Sequence, residues 1–134
     1  MVRELSYNVV VVGEEFGPLE HTLDAPAMEK YLKGSGNTHP WHRGDSPFGP
    51  PIAPPTMLGN FSLRLMETKY YLPIGTLHAK QELEFLNLIR LDRRLISRGR
   101  IADKYIRRGR EWIVLDVEFS DQKGTPIAKS RVLF

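Results

Sequence analysis

Residues 34–42 read Gly-Ser-Gly-Asn-Thr-His-Pro-Trp-His. His42 is suited to general acid–base work near neutral pH, because an unperturbed imidazole titrates there. Its plainer alternative is a loop histidine bonded to backbone. Asn37 can orient a water or cap the loop, but an amide accepts no proton at neutral pH. His39 can share the proton handling or stand as an exposed loop side chain. His39 and His42 form an H-x-x-H pair, yet a metal would want a third ligand, and the chain has no cysteine. Asp45 is close enough in sequence to orient a histidine. Trp41 reads more readily as a core plug than as a substrate wall. No phosphate-binding glycine loop and no nucleophile elbow occurs.

The elements around this stretch follow from periodicity. Leu19 to Leu23 reads as a short strand. Asp24 offers an N-cap, and Pro26 suits the first turn of a helix. Met28, Tyr31 and Leu32 fall at helical spacing, and Gly34 and Gly36 end the helix. Residues 39–55 hold six prolines in seventeen positions. Trp41, Phe48 and Ile52 imply that this loop packs. A second helix is expected from Pro55–Thr56 to about Tyr70, with Met57, Leu58, Phe61, Leu65 and Met66 on its apolar face. Gly59 within it signals close packing or nothing. The period then changes to two. Ala79, Gln81, Leu83, Phe85, Asn87 and Ile89 alternate with polar positions, and three more strands follow, joined at Arg108-Gly109 and Asp121–Gly124. One antiparallel sheet covered by a helix is an α+β arrangement.

At 134 residues, 41% hydrophobic and 26% charged, the chain fits a single globular domain. No apolar run approaches the roughly 20 residues of a membrane span. No secretory signal pattern is present at the start. A cytoplasmic location without membrane partners is expected. The net charge of +3 is unevenly placed: residues 90–110 hold nine Lys/Arg against two Asp. This is either a solvated strand face or an anion site. With one aromatic and no nucleic-acid motif in the stretch, nucleic acid is not the expected partner. A phosphorylated small molecule such as coenzyme A suits the charge.

The element order resembles the hotdog fold, a curled antiparallel sheet around a long central helix. Within it, residues 1–134 resemble one domain of the MaoC-like, (R)-specific enoyl-CoA hydratase/dehydratase family. The opening "VGEEFGPLEHTLDAPAMEKYLKGSG", the helix approach "FGPPIAPPTML" and the closing "VEFSDQKGTPIAKSRVLF" carry the likeness. "QELEFLNLIRLDR" resembles a strand with an F-x-x-P-V-x-x-G-D type motif, with Asn87 and Leu91 replacing Pro and Gly and Asp92 retained. The family's G-D-x-N-P-hydrophobic-H signature reads Gly36-Asn37-Thr38-His39-Pro40-Trp41-His42. Asn37 stands where the family has its catalytic Asp, and His39 where it has Asn.

The resemblance implies hydration of a trans-2-enoyl thioester, or the reverse dehydration. His42 is then the general acid–base, and Asn37 or His39 its assistant. Thr56 and Met57, at the N-terminus of the central helix, are the expected donors to the thioester oxygen, since Pro54 and Pro55 have no N–H. Arg93, Arg94, Arg98 and Arg100 are candidates for the coenzyme A phosphates. Coenzyme A enters as part of the substrate, with no resident cofactor. A homodimer or higher homo-oligomer is implied, or a hetero-oligomer with another hotdog subunit. Loss of the carboxylate also admits a catalytically reduced, acyl-CoA-binding subunit that pairs with an active hydratase. A thioesterase would want a carboxylate near the helix, and none is well placed.

Overall fold

The computed structural model describes residues 2–134. Strands β1 (Arg3–Glu4) and β2 (Glu15–Thr22) lead to helix α1 (Ala25–Ser35). After the Pro-rich loop come helix α2 (Leu58–Met66) and strand β3 (Tyr70–Tyr71). Strands β4 (Lys80–Phe85), β5 (Arg94–Arg107), β6 (Arg110–Asp121) and β7 (Pro126–Leu133) complete the chain. β2, β5, β6, β7 and β4 form one antiparallel sheet in that spatial order. β1 and β3 pair in parallel. The α+β arrangement and the hotdog fold read from the sequence are both present.

The sheet curls around α2. Leu58, Phe61, Leu65 and Met66 are buried on the helix. They meet Phe16, Leu95, Ile101, Leu115, Val117, Phe119 and Val132 from the strands, all buried in the same cluster. Period-two alternation sets the inward face: along β5, Leu95, Ser97 and Ile101 are buried while Arg94, Arg98 and Arg100 are exposed. Gly99 lies on the inward face because nothing larger fits. A Cβ there would stand 2.8 Å from the Asp116 carbonyl and 2.9 Å from Leu65 Cδ2. Gly59 of α2 is also a contact point, since a Cβ on it would meet the Gln81 amide at 3.2 Å.

Four features depart from the sequence expectation. β2 begins at Glu15 rather than Leu19, because its first residues pair with Gly99 and Arg100. Gly34 lies inside α1, and Gly36 alone ends it, at φ 70. The central helix, opened by a 3₁₀ turn at Pro55–Met57, stops at Met66 rather than near Tyr70. Tyr70 is captured elsewhere: its hydroxyl donates to the Glu14 carboxylate at 2.7 Å, and Arg3 N–H donates to Lys69 O at 3.0 Å. The fourth is Phe85, which lies exposed at the end of the edge strand β4.

Candidate active site

The site loop begins where α1 ends. Asp24 caps the helix, its Oδ1 accepting from Ala27 N–H at 2.9 Å. At the other end Gly36 adopts the left-handed conformation, and Asn37 N–H donates back to Leu32 O at 3.0 Å. This is the Schellman arrangement, and it places Asn37 directly at the helix end. Asn37 Oδ1 accepts the His39 N–H at 2.9 Å. That bond fixes the amide: the oxygen faces the loop backbone, and Nδ2 remains the donor face. Arg43 donates to Asn37 O at 3.2 Å and pairs with Glu29 at 3.2 Å, tying the loop back to α1.

His39 opens a single 3₁₀ turn, Pro40–His42. Its Nδ1 accepts Trp41 N–H at 3.3 Å, so the neutral ring carries its hydrogen on Nε2. His42 is 8% exposed. Its Nδ1 lies 2.7 Å from the Ile52 carbonyl oxygen, which can only accept. Nδ1 is therefore protonated, and Nε2 is the acceptor nitrogen. The two imidazoles, with centroids 5.7 Å apart, thus hold opposite tautomers.

The loop is pinned to the start of the central helix through the same short segment. Ile52 N–H donates to Trp41 O at 3.1 Å, and Ala53 N–H to Ile89 O at 3.0 Å. Pro54, Pro55 and the 3₁₀ turn follow. Met57 N–H is taken by Pro54 O at 3.2 Å, and the Met57 side chain is buried. Thr56 precedes that first helical bond and is exposed. Its hydroxyl pairs with Tyr31 OH at 2.9 Å, joining α1 to the helix start. No spacing signal foretells this contact, which spans 25 positions.

Other sequence candidates fall into place around this loop. Trp41 is half-buried, edge-on to His39 at 4.9 Å and to Phe48 at 5.7 Å, so it stacks within the loop rather than plugging the core. Asp45 is exposed and makes no ion pair among the described residues. No group of three His, Asp or Glu residues is placed to hold a metal among the described residues. The four arginines are separated. Arg98 and Arg100 line a surface cavity that also holds Glu15, Asp116 and Glu118. Across the strands, Arg98 faces Glu118 and Arg100 faces Asp116. The Asp116 carboxylate itself is held by Arg131, at 2.7 and 2.8 Å. Arg93 and Arg94 line a different cavity, with Arg90 and Asn87. Asp92 beside them has φ 58. The resemblance put the motif's glycine at Leu91, but the left-handed backbone that favours glycine is one residue later.

Comparisons with known proteins agree with this architecture. The family model of the FAS1-like dehydratase domain region matches residues 10–130. The chain belongs to this dehydratase-type hotdog family, and the solved structures it resembles include an (R)-hydratase and a MaoC-like dehydratase. A monoamine oxidase regulatory protein from Archaeoglobus superposes with TM-score 0.83 at 13% identity, over 98% of this chain and 93% of that one. The (R)-hydratase PhaJ1 of Pseudomonas aeruginosa gives 0.79 at 17%, over 95% and 82%. The HadBC (3R)-hydroxyacyl-ACP dehydratase complex of Mycobacterium tuberculosis gives 0.74 at 12%, over 92% and 95%. At these identities the likenesses establish the fold. No curated protein matches the chain in sequence. No helix among the described residues is long and apolar enough to cross a membrane.

Proposed function

We propose that the protein hydrates a trans-2-enoyl thioester, reversibly, to the 3-hydroxyacyl thioester. The observation that carries this reading is the fixed tautomer of His42, whose Nδ1 is held by Ile52 O at 2.7 Å. Nε2 takes a proton from water as the oxygen adds to Cβ. The π electrons move onto the thioester carbonyl, giving an enolate. Thr56 N–H, ahead of the first bonded turn, donates to that oxygen; Met57 N–H is already engaged. The His42 imidazolium then returns the proton to Cα. Water adds across the double bond, and the histidine is regenerated. Asn37 Nδ2 and His39 orient the water.

A second reading has an observation in its favour. Asn37 supplies no carboxylate, and its oxygen is committed to His39 N–H. The chain would then be the acyl-thioester-binding half of a mixed hotdog pair. HadBC and ChsH1–ChsH2, both similar in fold to this chain, are themselves complexes of two named subunits. In either case we place the chain in at least a dimer, in the cytoplasm, with an acyl-CoA or acyl-carrier thioester as ligand.

Absorbance of crotonyl-CoA, followed with the purified protein, tests the first reading. Loss of the enoyl band at a rate proportional to enzyme is expected. A flat trace with the chain alone, together with turnover after adding an active hotdog subunit, would transfer it to the second.

A further inference from the structure

Arg90 pairs with the loop that carries the candidate active site. It bridges Ile52, the residue whose carbonyl orients His42. Arg90 Nη1 is buried and has no hydrogen-bond partner among the described residues. A Cβ added to Gly49 of the site loop would stand 3.9 Å from that nitrogen. The loop therefore closes over one edge of the guanidinium. A buried cationic donor without a partner is costly, and native structures account for nearly all such groups.

The remaining surroundings are cationic. Arg93 and Arg94 line the same cavity as Arg90, together with Asn87 and Thr125. Neither Arg90 nor Arg93 is in an ion pair among the described residues, and Arg94 has a long one, 3.9 Å to Glu20. Asp121 is the one carboxylate lining the cavity. Its Oδ1 is committed to Lys123 N–H and Thr125 N–H, each at 2.9 Å, as the turn demands. Three guanidinium groups thus face one engaged carboxylate. The cavity is about 230 Å³. Ligand pockets for drug-sized molecules run to roughly 300–1,000 Å³, so this one suits a small group.

We infer that this cavity is an anion site that takes a phosphate of the thioester's carrier. Arginine's planar fork matches phosphate geometry, and an anion here compensates the charge that Arg90 holds against the loop. The assignment to a carrier phosphate rests on the hydratase reading; the anion site itself does not. It also separates Arg93 and Arg94, which line this cavity, from Arg98 and Arg100, whose cavity is shared with Glu15, Asp116 and Glu118.

The probe is inorganic pyrophosphate, titrated calorimetrically into the full-length protein at low salt. Saturable binding that weakens as salt rises is expected. Arg93→Glu should weaken it at least tenfold. Arg90→Lys, which keeps the charge but loses the fork, should also weaken it. Arg107→Glu makes the same charge change as Arg93→Glu on the distant hairpin and should leave binding intact. No saturable binding, or an equal loss in Arg107→Glu, would overturn the site. Competition then identifies the carrier. Displacement by coenzyme A indicates the free coenzyme; displacement only by a phosphopantetheinylated carrier protein indicates that carrier; displacement by neither removes the carrier-phosphate assignment. Because pyrophosphate binding is read without turnover, a bound probe with no hydration of crotonyl-CoA would count against the hydratase reading alone.

Discussion

His42 Nδ1 and the Ile52 carbonyl oxygen are 2.7 Å apart, and this contact decides which face of the imidazole can act. A carbonyl accepts only, so the proton sits on Nδ1 and Nε2 keeps its lone pair. The same segment, through Pro54 and Pro55, delivers the start of the central helix. One short stretch of backbone therefore sets both the free nitrogen of this imidazole and the first helical N–H.

Replacing His42 by Ala removes the proposed base. The rate of enoyl-thioester hydration should fall at least ~10²-fold, since positioned acid–base groups contribute about 10²–10⁴. Circular dichroism should show the fold retained. An active wild type whose rate is unchanged in His42→Ala would remove the loop from the mechanism.

Asn37→Asp tests the missing carboxylate. The new side chain is nearly isosteric and keeps the bond to His39 N–H, now charge-assisted. It should fold without strain. With an active wild type, the variant should show an altered rate–pH profile, because a second titrating group stands near His42. An inactive wild type that gains hydration on this single change would favour the reduced-subunit reading.

The turns of the candidate loop were more legible in the sequence than its surroundings. Asp24, Gly36 and the Pro40 turn were legible because caps and turns depend on residue type at adjacent positions. The non-local contacts were not. The helical pattern of α2 runs past Met66, and nothing near Tyr70 reveals that Glu14 captures its hydroxyl. Tyr31 and Thr56 meet for reasons of packing, which no spacing rule encodes. The basic stretch was visible as charge alone. Which arginines share a cavity depends on the start of β5: Arg98 and Arg100 lie within the strand, while Arg93 precedes it.

Strand β4 is an edge of the sheet, and Leu77, Phe85 and Leu86 are exposed near its ends. An unpaired edge with apolar flanks is a pairing surface. Light scattering at micromolar concentration should give at least a dimer. Glu82→Pro, on this edge, should shift the distribution toward monomer; a wild-type monomer would contradict the proposed assembly.

Gly99 and Gly34 should respond in opposite directions to Ala. At Gly99 the new methyl meets the Asp116 carbonyl at 2.8 Å, and backbone cannot swing aside. The expected loss is about 1–3 kcal/mol. At Gly34, inside α1, a Cβ meets nothing within 4 Å. Stability should rise by roughly 0.5–1 kcal/mol, from reduced freedom of the unfolded chain and better helix propensity. Urea midpoints of both variants against wild type measure this, and a stable Gly99→Ala protein would show that the sheet does not press on Leu65 as described.

His21 provides a pH test of the core rather than of the site. Its Nε2 lies 2.9 Å from Ser97 Oγ, and its ring stacks on Phe61 with centroids 4.5 Å apart. Burial, and then the positive charge of Arg64, hold its pKa below the ordinary imidazole value of 6.5. The folded protein thus keeps His21 neutral at a pH where the unfolded chain has begun to protonate. Its contribution to stability is present above the unfolded value and is lost as pH falls from there through the folded pKa. Wild type should therefore have a lower urea midpoint at about pH 5.5 than at about pH 7.5. Carboxylates add to that loss in any variant, so the comparison is between proteins. His21→Gln, which can still reach Ser97 but does not titrate, should lose less over the same interval. Parallel losses in the two proteins would show that His21 is protonated in the folded state without penalty, against the enclosure by Phe61, Ser97 and Arg64.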